Sequence, residues 1–121
     1  MGSDRKVLLV EDEALVAALA VDALEELGYQ TVEVSTSKAA LEALSGDAKF
    51  VFAVIDVGLP DGRGDALALK MRELRADIPI IIATGYDGAH LAEKARNAAK
   101  TAILSKPYDI SQLQEAIKSI A

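Results

Sequence analysis

Asp56 closes the apolar run Val51-Phe52-Ala53-Val54-Ile55 and is followed by Val57-Gly58-Leu59-Pro60-Asp61-Gly62, which reads as a loop. A short all-apolar run bounded by turn residues is the pattern of a strand buried on both faces. An acid at the end of such a strand emerges at the carboxyl edge of a parallel sheet, where open α/β folds place their sites. Taken alone, Asp56 serves equally well as a turn former. Three further runs end on reactive side chains. Lys6 to Val10 ends on Glu11, Asp12 and Glu13, Ile80 to Ala83 ends on Thr84, and Thr101 to Leu104 leads through Ser105 into Lys106. Each has an ordinary reading: first-turn acids favoured by a helix dipole, a strand-end hydroxyl, a solvated loop lysine. Together they offer three carboxylates, a hydroxyl and an ammonium. Clustered acids repel unless a cation sits among them, and carboxylate oxygens with a backbone carbonyl suit a hard ion such as Mg²⁺. One carboxylate can then attack phosphorus. The metal and Lys106 would offset charge on the transferring group, and Thr84 would donate a hydrogen bond to it. The chemistry expected is a carboxylate, with Asp56 the working candidate, that accepts a phosphoryl group with Mg²⁺ present.

These residues need elements that carry them to one place. Ala14 to Leu27 reads as a helix stopped by Gly28. Val16, Ala20, Ala23 and Leu27 keep helical spacing, while Leu15, Leu19 and Val21 widen the apolar surface and imply cover from a neighbouring helix or a partner chain. Gln30 to Val34 is a short strand, and one of Ser35, Thr36 and Ser37 caps a helix from about Lys38 to Leu44. After the Val51–Ile55 strand and a loop from Val57 to Gly64, Asp65 is expected to cap a helix to about Arg75, with Leu67, Met71 and Leu74 on one face. A helix from about Ala89 to Ala98 has Leu91 as its single large apolar residue, so it is expected to be the least firmly docked. His90, the only histidine, reads as a surface residue near its start. Asp109 is expected to cap a final helix striped by Ile110, Leu113, Ile117 and Ile120. The alternation of five strands and five helices implies a parallel sheet covered on both faces. The fold expected is α/β, a flavodoxin-like (βα)5 three-layer sandwich with sheet order 2-1-3-4-5. Strands one, three, four and five are then neighbours, and Glu11, Asp12, Asp56, Thr84 and Lys106 converge on one edge.

The 121 residues suffice for one domain with a real core, so residues 1–121 are read as a single domain, with 1–4 an unstructured or expression-derived N-terminus. Composition is 51% hydrophobic and 26% charged, ordinary for a globular domain, and aromatics at 4% leave the core to Ala, Val, Leu and Ile. A net charge of −6 argues against direct nucleic-acid binding, which needs clustered Lys and Arg. With no cysteine, disulfides, thiolate metal sites and Cys nucleophiles are excluded. No apolar run reaches spanning length and no signal peptide is read, so membrane insertion is not expected and a cytoplasmic location is.

The polar strand ends fall in four motifs: VLLVEDE (Val7 to Glu13), VIDVGLPDGRG (Val54 to Gly64), IIIATGY (Ile80 to Tyr86) and LSKPY (Leu104 to Tyr108). In this order and at these spacings the chain resembles a receiver domain of the two-component response regulators over nearly all its length. The resemblance implies that Asp56 is the phospho-accepting aspartate. It implies that Glu11 and Asp12 hold Mg²⁺ with Asp56 and the backbone carbonyl of Gly58, and that Thr84 and Lys106 contact the phosphoryl group. It also implies a cis Lys106-Pro107 bond. A sensor histidine kinase or histidine phosphotransfer protein is the expected donor, and autophosphorylation with slow self-dephosphorylation the expected activity. Output is expected through contact with a downstream protein of unknown identity, or the chain is a receiver piece of a longer one such as a hybrid histidine kinase. The phosphoryl group is expected to pull Thr84 inward and reorder the region from Gly85 to Ala98. Two positions depart from the family pattern. Ile103 stands where a switching Tyr or Phe is usual. The strand-four motif resembles a subset with a Phe-Ala-Thr-Gly signature, with Ile82 in place of the Phe. A haloacid-dehalogenase-type phosphatase would need a second acid two residues after Asp56, and Gly58 occupies that position. Phosphate-binding GxGxxG and GxxxxGK[ST] loops are absent.

Overall fold

The computed structural model describes residues 5–46, 49–85 and 98–120. Five parallel strands form one sheet: β1 (Lys6–Val10), β2 (Gln30–Val34), β3 (Phe52–Asp56), β6 (Ile80–Thr84) and β7 (Thr101–Ser105). Two short strands, β4 (Gly58–Leu59) and β5 (Gly62–Arg63), make an antiparallel hairpin directly after β3. The sheet order is β2-β1-β3-β6-β7. Set the hairpin aside and this is the 2-1-3-4-5 order expected from sequence. The helices are α1 (Ala14–Glu26), α2 (Ser37–Ser45), α3 (Gly64–Leu74) and α4 (Ile110–Ile120). The helix expected at residues 89–98, with His90 and Leu91, lies outside the described residues except for its final position.

Side chains on a strand alternate between faces, and the core divides accordingly. Leu8, Val10, Ala53, Ile55, Ile80 and Ile82 pack with α2 and α3 through Ala40, Leu44, Leu67 and Met71. Val7, Leu9, Phe52, Val54, Ile81 and Leu104 pack with α1 and α4 through Ala17, Ala20, Leu24, Leu113, Ala116 and Ile120. Every residue of β3 and β6 is buried, whereas the edge strands β2 and β7 are only partly so. This is why β3 and β6 read as continuous apolar runs.

Helix ends follow local chemistry. α1 stops in a Schellman motif: Gly28, at φ +94°, donates to the Glu25 carbonyl, and Tyr29 donates to that of Leu24. Thr36 caps α2 by accepting from the Ala39 N–H at 3.0 Å. Asp109 and Gln112 cap α4 reciprocally, each side chain accepting from the other's backbone N–H at 2.8 and 2.9 Å.

Several expectations shift. The β3 strand begins at Phe52 and includes Asp56, which pairs with Ala83, while Val51 is exposed. The first helix buries Ala17, Ala20 and Leu24. Of the expected stripe, Ala20 is buried and Ala23 and Leu27 pack partly buried against the core, so the inward face is rotated toward Ala17 and Leu24, and Leu15 and Leu19 are 74% and 62% exposed. Among the described residues no helix covers them. Asp65 does not cap α3. The helix starts earlier, at Gly64, because the Gly64 N–H bonds the Val57 carbonyl at 2.8 Å and carries the chain straight into the first turn. Asp65 sits in that turn, buried, and accepts a fork from the Arg63 guanidinium at 3.0 and 3.2 Å.

Candidate functional site

A doubly wound sheet opens a crevice where successive connections leave in opposite directions. Here that crevice lies between β1 and β3. The chain leaves β1 toward the β2 edge and leaves β3 toward β6. Glu11 and Asp12 follow β1, and Asp56 ends β3. Each of the three offers a carboxylate oxygen, and these oxygens all lie within 4.8 Å of one another. Glu11 and Asp56 are buried while Asp12 is exposed. Thr84 ends β6 and is 2% exposed. Its carbonyl accepts the Lys106 backbone N–H at 2.7 Å, which fixes Lys106 beside it. Asp56, Gly58, Thr84, Gly85 and Lys106 line an open cleft of about 700 Å³.

The Lys106 ammonium bridges the acids. It pairs with Asp56 Oδ1, and with Glu11 Oε1 at 3.3 Å. Burial pulls its pKa down, but the hydrogen bond and charge of Asp56 and the charge of Glu11 outweigh that, so Lys106 titrates above the usual lysine range. Glu11 shifts upward, chiefly because burial disfavours its charged form. The Glu13 N–H it accepts opposes the rise, the Asp56 charge adds to it, and Lys106 works against it. The second Asp56 oxygen, Oδ2, accepts the Gly58 N–H at 3.1 Å. The Lys106-Pro107 bond is cis. Tyr108 is half-buried, and burial and the Glu11 charge hold its phenol above the ordinary range.

The donor set fits a small hard cation. Ligand oxygens about 2.0–2.1 Å from a six-coordinate Mg²⁺ lie about 3 to 4 Å apart, and the three carboxylates, with oxygens within 4.8 Å of one another, need only small side-chain adjustments to share one ion. Asp56 and Gly58 line a cleft open enough for the waters that Mg²⁺ retains.

Two residues with a part in the geometry escape the sequence reading. Gly64 packs so closely on the end of β3 that a Cβ there would overlap the Asp56 carbonyl oxygen. Asp61, read only as a loop residue, reaches across to α2 and accepts from the Ser37 and Lys38 amides at 2.8 and 3.1 Å. The Pro60-Asp61-Gly62 turn signal marks the bend, but nothing local marks its partner. Ile103 is half-buried against the α2/α3 side of the core.

The sequence matches the family described as response regulator receiver domain over residues 7–118. It is 34% identical over 117 residues to the photosynthetic apparatus regulatory protein RegA of Rhodobacter capsulatus, covering 97% of this chain and 63% of that protein. The chain thus spans less than two thirds of that relative's length. Among solved structures, a CheY-like response regulator receiver domain from Methylobacillus flagellatus superposes with a TM-score of 0.85 at 30% identity, covering 97% and 98% of the two chains. A response regulator from Burkholderia pseudomallei, solved with a phosphorylated aspartic acid, a calcium ion and citrate, gives a TM-score of 0.80 at 25% identity, covering 93% of this chain and 66% of that one. With the family pattern running through all five main strands and the sheet order it requires, this chain belongs to the response regulator receiver domains.

Proposed function

We propose that residues 1–121 work as a single receiver domain in which Asp56 accepts a phosphoryl group from a phosphohistidine. The observation that carries the assignment is the Lys106 bridge between Asp56 and Glu11, with Asp12 in the same cluster. That arrangement holds an oxygen nucleophile beside a cation able to follow charge onto phosphorus. One Asp56 carboxylate oxygen attacks in line, the P–N bond breaks, and its electrons leave with the imidazole, which is then protonated. Lys106 passes from the Asp56 carboxylate to a phosphoryl oxygen, keeping a charge partner throughout. The Thr84 hydroxyl donates to another phosphoryl oxygen. Glu11, Asp12, Asp56 and the Gly58 carbonyl would hold Mg²⁺, which when bound offsets charge on the transferring group. Slow hydrolysis by water in the open cleft returns the resting carboxylate. The phosphatase alternative is disfavoured because Gly58 supplies no acid.

The donor is a sensor histidine kinase or histidine phosphotransfer protein, in the cytoplasm, and output is contact with a further protein rather than nucleic acid, consistent with the net charge of −6. No helix among the described residues is long and apolar enough to cross a membrane. A place within a hybrid kinase fits the same chemistry. Ile103 lacks both ring and hydroxyl, so the change begins at Thr84 without an aromatic partner on β7. Incubation with acetyl phosphate and Mg²⁺, followed by intact mass, is expected to show one phosphoryl adduct on the wild type and none on Asp56→Ala. An adduct that persists undiminished in Asp56→Ala, or no adduct on the wild type, would overturn the assignment.

A further inference from the structure

The hairpin that follows Asp56 is tied at its tip to a helix far away in sequence. Asp61 lies between β4 and β5, and its two carboxylate oxygens accept the Ser37 and Lys38 amides, 24 and 23 positions distant. The next amide of α2, Ala39, is taken by Thr36 Oγ1. The free donors of the α2 first turn are therefore shared between a local cap and a residue of the hairpin. These bonds also hold the Asp61 carboxyl below its usual range.

The hairpin is fastened at its base as well. Gly58 gives its N–H to Asp56 Oδ2, and the Gly64 N–H bonds the Val57 carbonyl. Gly62 adopts φ +151°, and a Cβ there would lie 3.8 Å from Ser37 Oγ, so the returning strand runs alongside α2. The ribbon has two residue pairs, Gly58 with Arg63 and Leu59 with Gly62, so a single pair separates Gly58 from the Asp61 turn. So short a ribbon has little rigidity of its own. Its orientation over the cleft depends on what holds each end.

We propose that Asp61 is a positioning residue for the phosphoryl site. By clamping the hairpin tip onto the first turn of α2, it fixes where the Gly58 N–H and carbonyl sit relative to Asp56 and the bound cation. The inference rests on the reading of Asp56, Glu11, Asp12 and Gly58 given above. Asp61 touches no reacting atom and acts through the hairpin.

The test measures Mg²⁺ affinity, with the metal alone, by amide NMR titration, alongside the rate of adduct formation with acetyl phosphate. Asp61→Ala is expected to weaken Mg²⁺ binding by about tenfold, the low end of what outer-shell partners contribute to a metal site, and to slow adduct formation. Asp61→Asn keeps an acceptor for one of the two amides while removing the charge, and is expected to recover a good part of the affinity. Thr36→Ala removes the other cap of the same turn without touching the hairpin. It is expected to lower stability and leave Mg²⁺ affinity within twofold. The proposal is overturned if Asp61→Ala leaves both readouts within twofold of wild type. It is equally overturned if Asn behaves as Ala, which would assign the effect to charge, or if Thr36→Ala matches Asp61→Ala, which would assign it to helix capping. Failure of the underlying reading looks different: the wild type itself then neither binds Mg²⁺ nor forms an adduct.

Discussion

The two ends of the same sheet are finished in opposite ways. At the amino edge, arginines close the structure. Arg72 donates to the carbonyls of Ile78, Ala99 and Lys100 at 2.7, 2.7 and 2.9 Å and to Thr101 Oγ1 at 3.1 Å, joining α3 to the starts of β6 and β7. Arg75 holds the Leu44 and Gly46 carbonyls at the end of α2 and lies over the Phe50 ring. Arg5 stacks 4.3 Å over Tyr29, whose ring meets Phe52 edge-on. These guanidiniums bind mainly backbone oxygens and aromatic faces. At the carboxyl edge the arrangement is reversed: Glu11 and Asp56 share the Lys106 ammonium, with Asp12 in the same acidic cluster, beside an open cleft. The difference teaches that this fold separates the work of holding together from the work of chemistry along a strand about five residues long.

That contrast can be broken at either end. The largest effect is expected from Arg72→Ala, which removes four hydrogen bonds at once, although the Lys100 and Ala99 carbonyls keep the Ile80 N–H and the Thr101 hydroxyl, and should cost about 2–4 kcal/mol in denaturant unfolding. Arg72→Lys should recover little, since an ammonium cannot reproduce the fork. Adduct formation per folded molecule should stay unchanged in both; a proportionate loss would mean the two edges are not separable. Gly64→Ala comes next. Its methyl must displace the end of β3 or the start of α3, for a cost of about 1–3 kcal/mol, and here adduct formation should fall too, because Asp56 moves. Mg²⁺ should stabilise the wild type by about 1.4 kcal/mol at ten times its dissociation constant, read as a shift in thermal midpoint. Asp12→Asn should lose most of that gain.

The smallest effect concerns Glu11, whose raised pKa has a definite sign. A carboxyl raised on folding contributes stability below its unfolded value, near 4.5, and loses that contribution as pH rises through the folded value. At neutral pH without Mg²⁺, Glu11 is therefore a cost. Glu11→Gln should be more stable than wild type at pH 7 by less than about 0.5 kcal/mol, since the cleft is open to solvent. The advantage should shrink as pH falls through the raised Glu11 pKa. An advantage that grows on acidification would contradict the burial argument.

What the sequence made legible follows from which signals are local. Strands β1, β3, β6 and β7 announce themselves as apolar runs, and the residues at their ends needed only the parallel topology to meet. The same logic found Gly28 and Asp109, whose capping chemistry lies within a few residues. The face of α1 was legible only in part: Ala20, Ala23 and Leu27 do face the core, but Leu15, Val16, Leu19 and Val21 spread apolar character around the helix, and periodicity did not single out Ala17 and Leu24. The start of α3 depended on how closely Gly64 approaches Asp56, a tertiary fact. Asp61 and Arg72 act across gaps of more than twenty residues on backbone groups, which every residue carries and no pattern marks.

The central claim is that Asp56, among all the acids of this edge, receives the phosphoryl group. Borohydride reduces an aspartyl phosphate to homoserine, leaving a permanent mark at the modified position. After treatment with acetyl phosphate and Mg²⁺, reduction and peptide sequencing by mass spectrometry, homoserine is expected at position 56 and at no other acid. Homoserine at position 12 or 61 with Asp56 unchanged would contradict it.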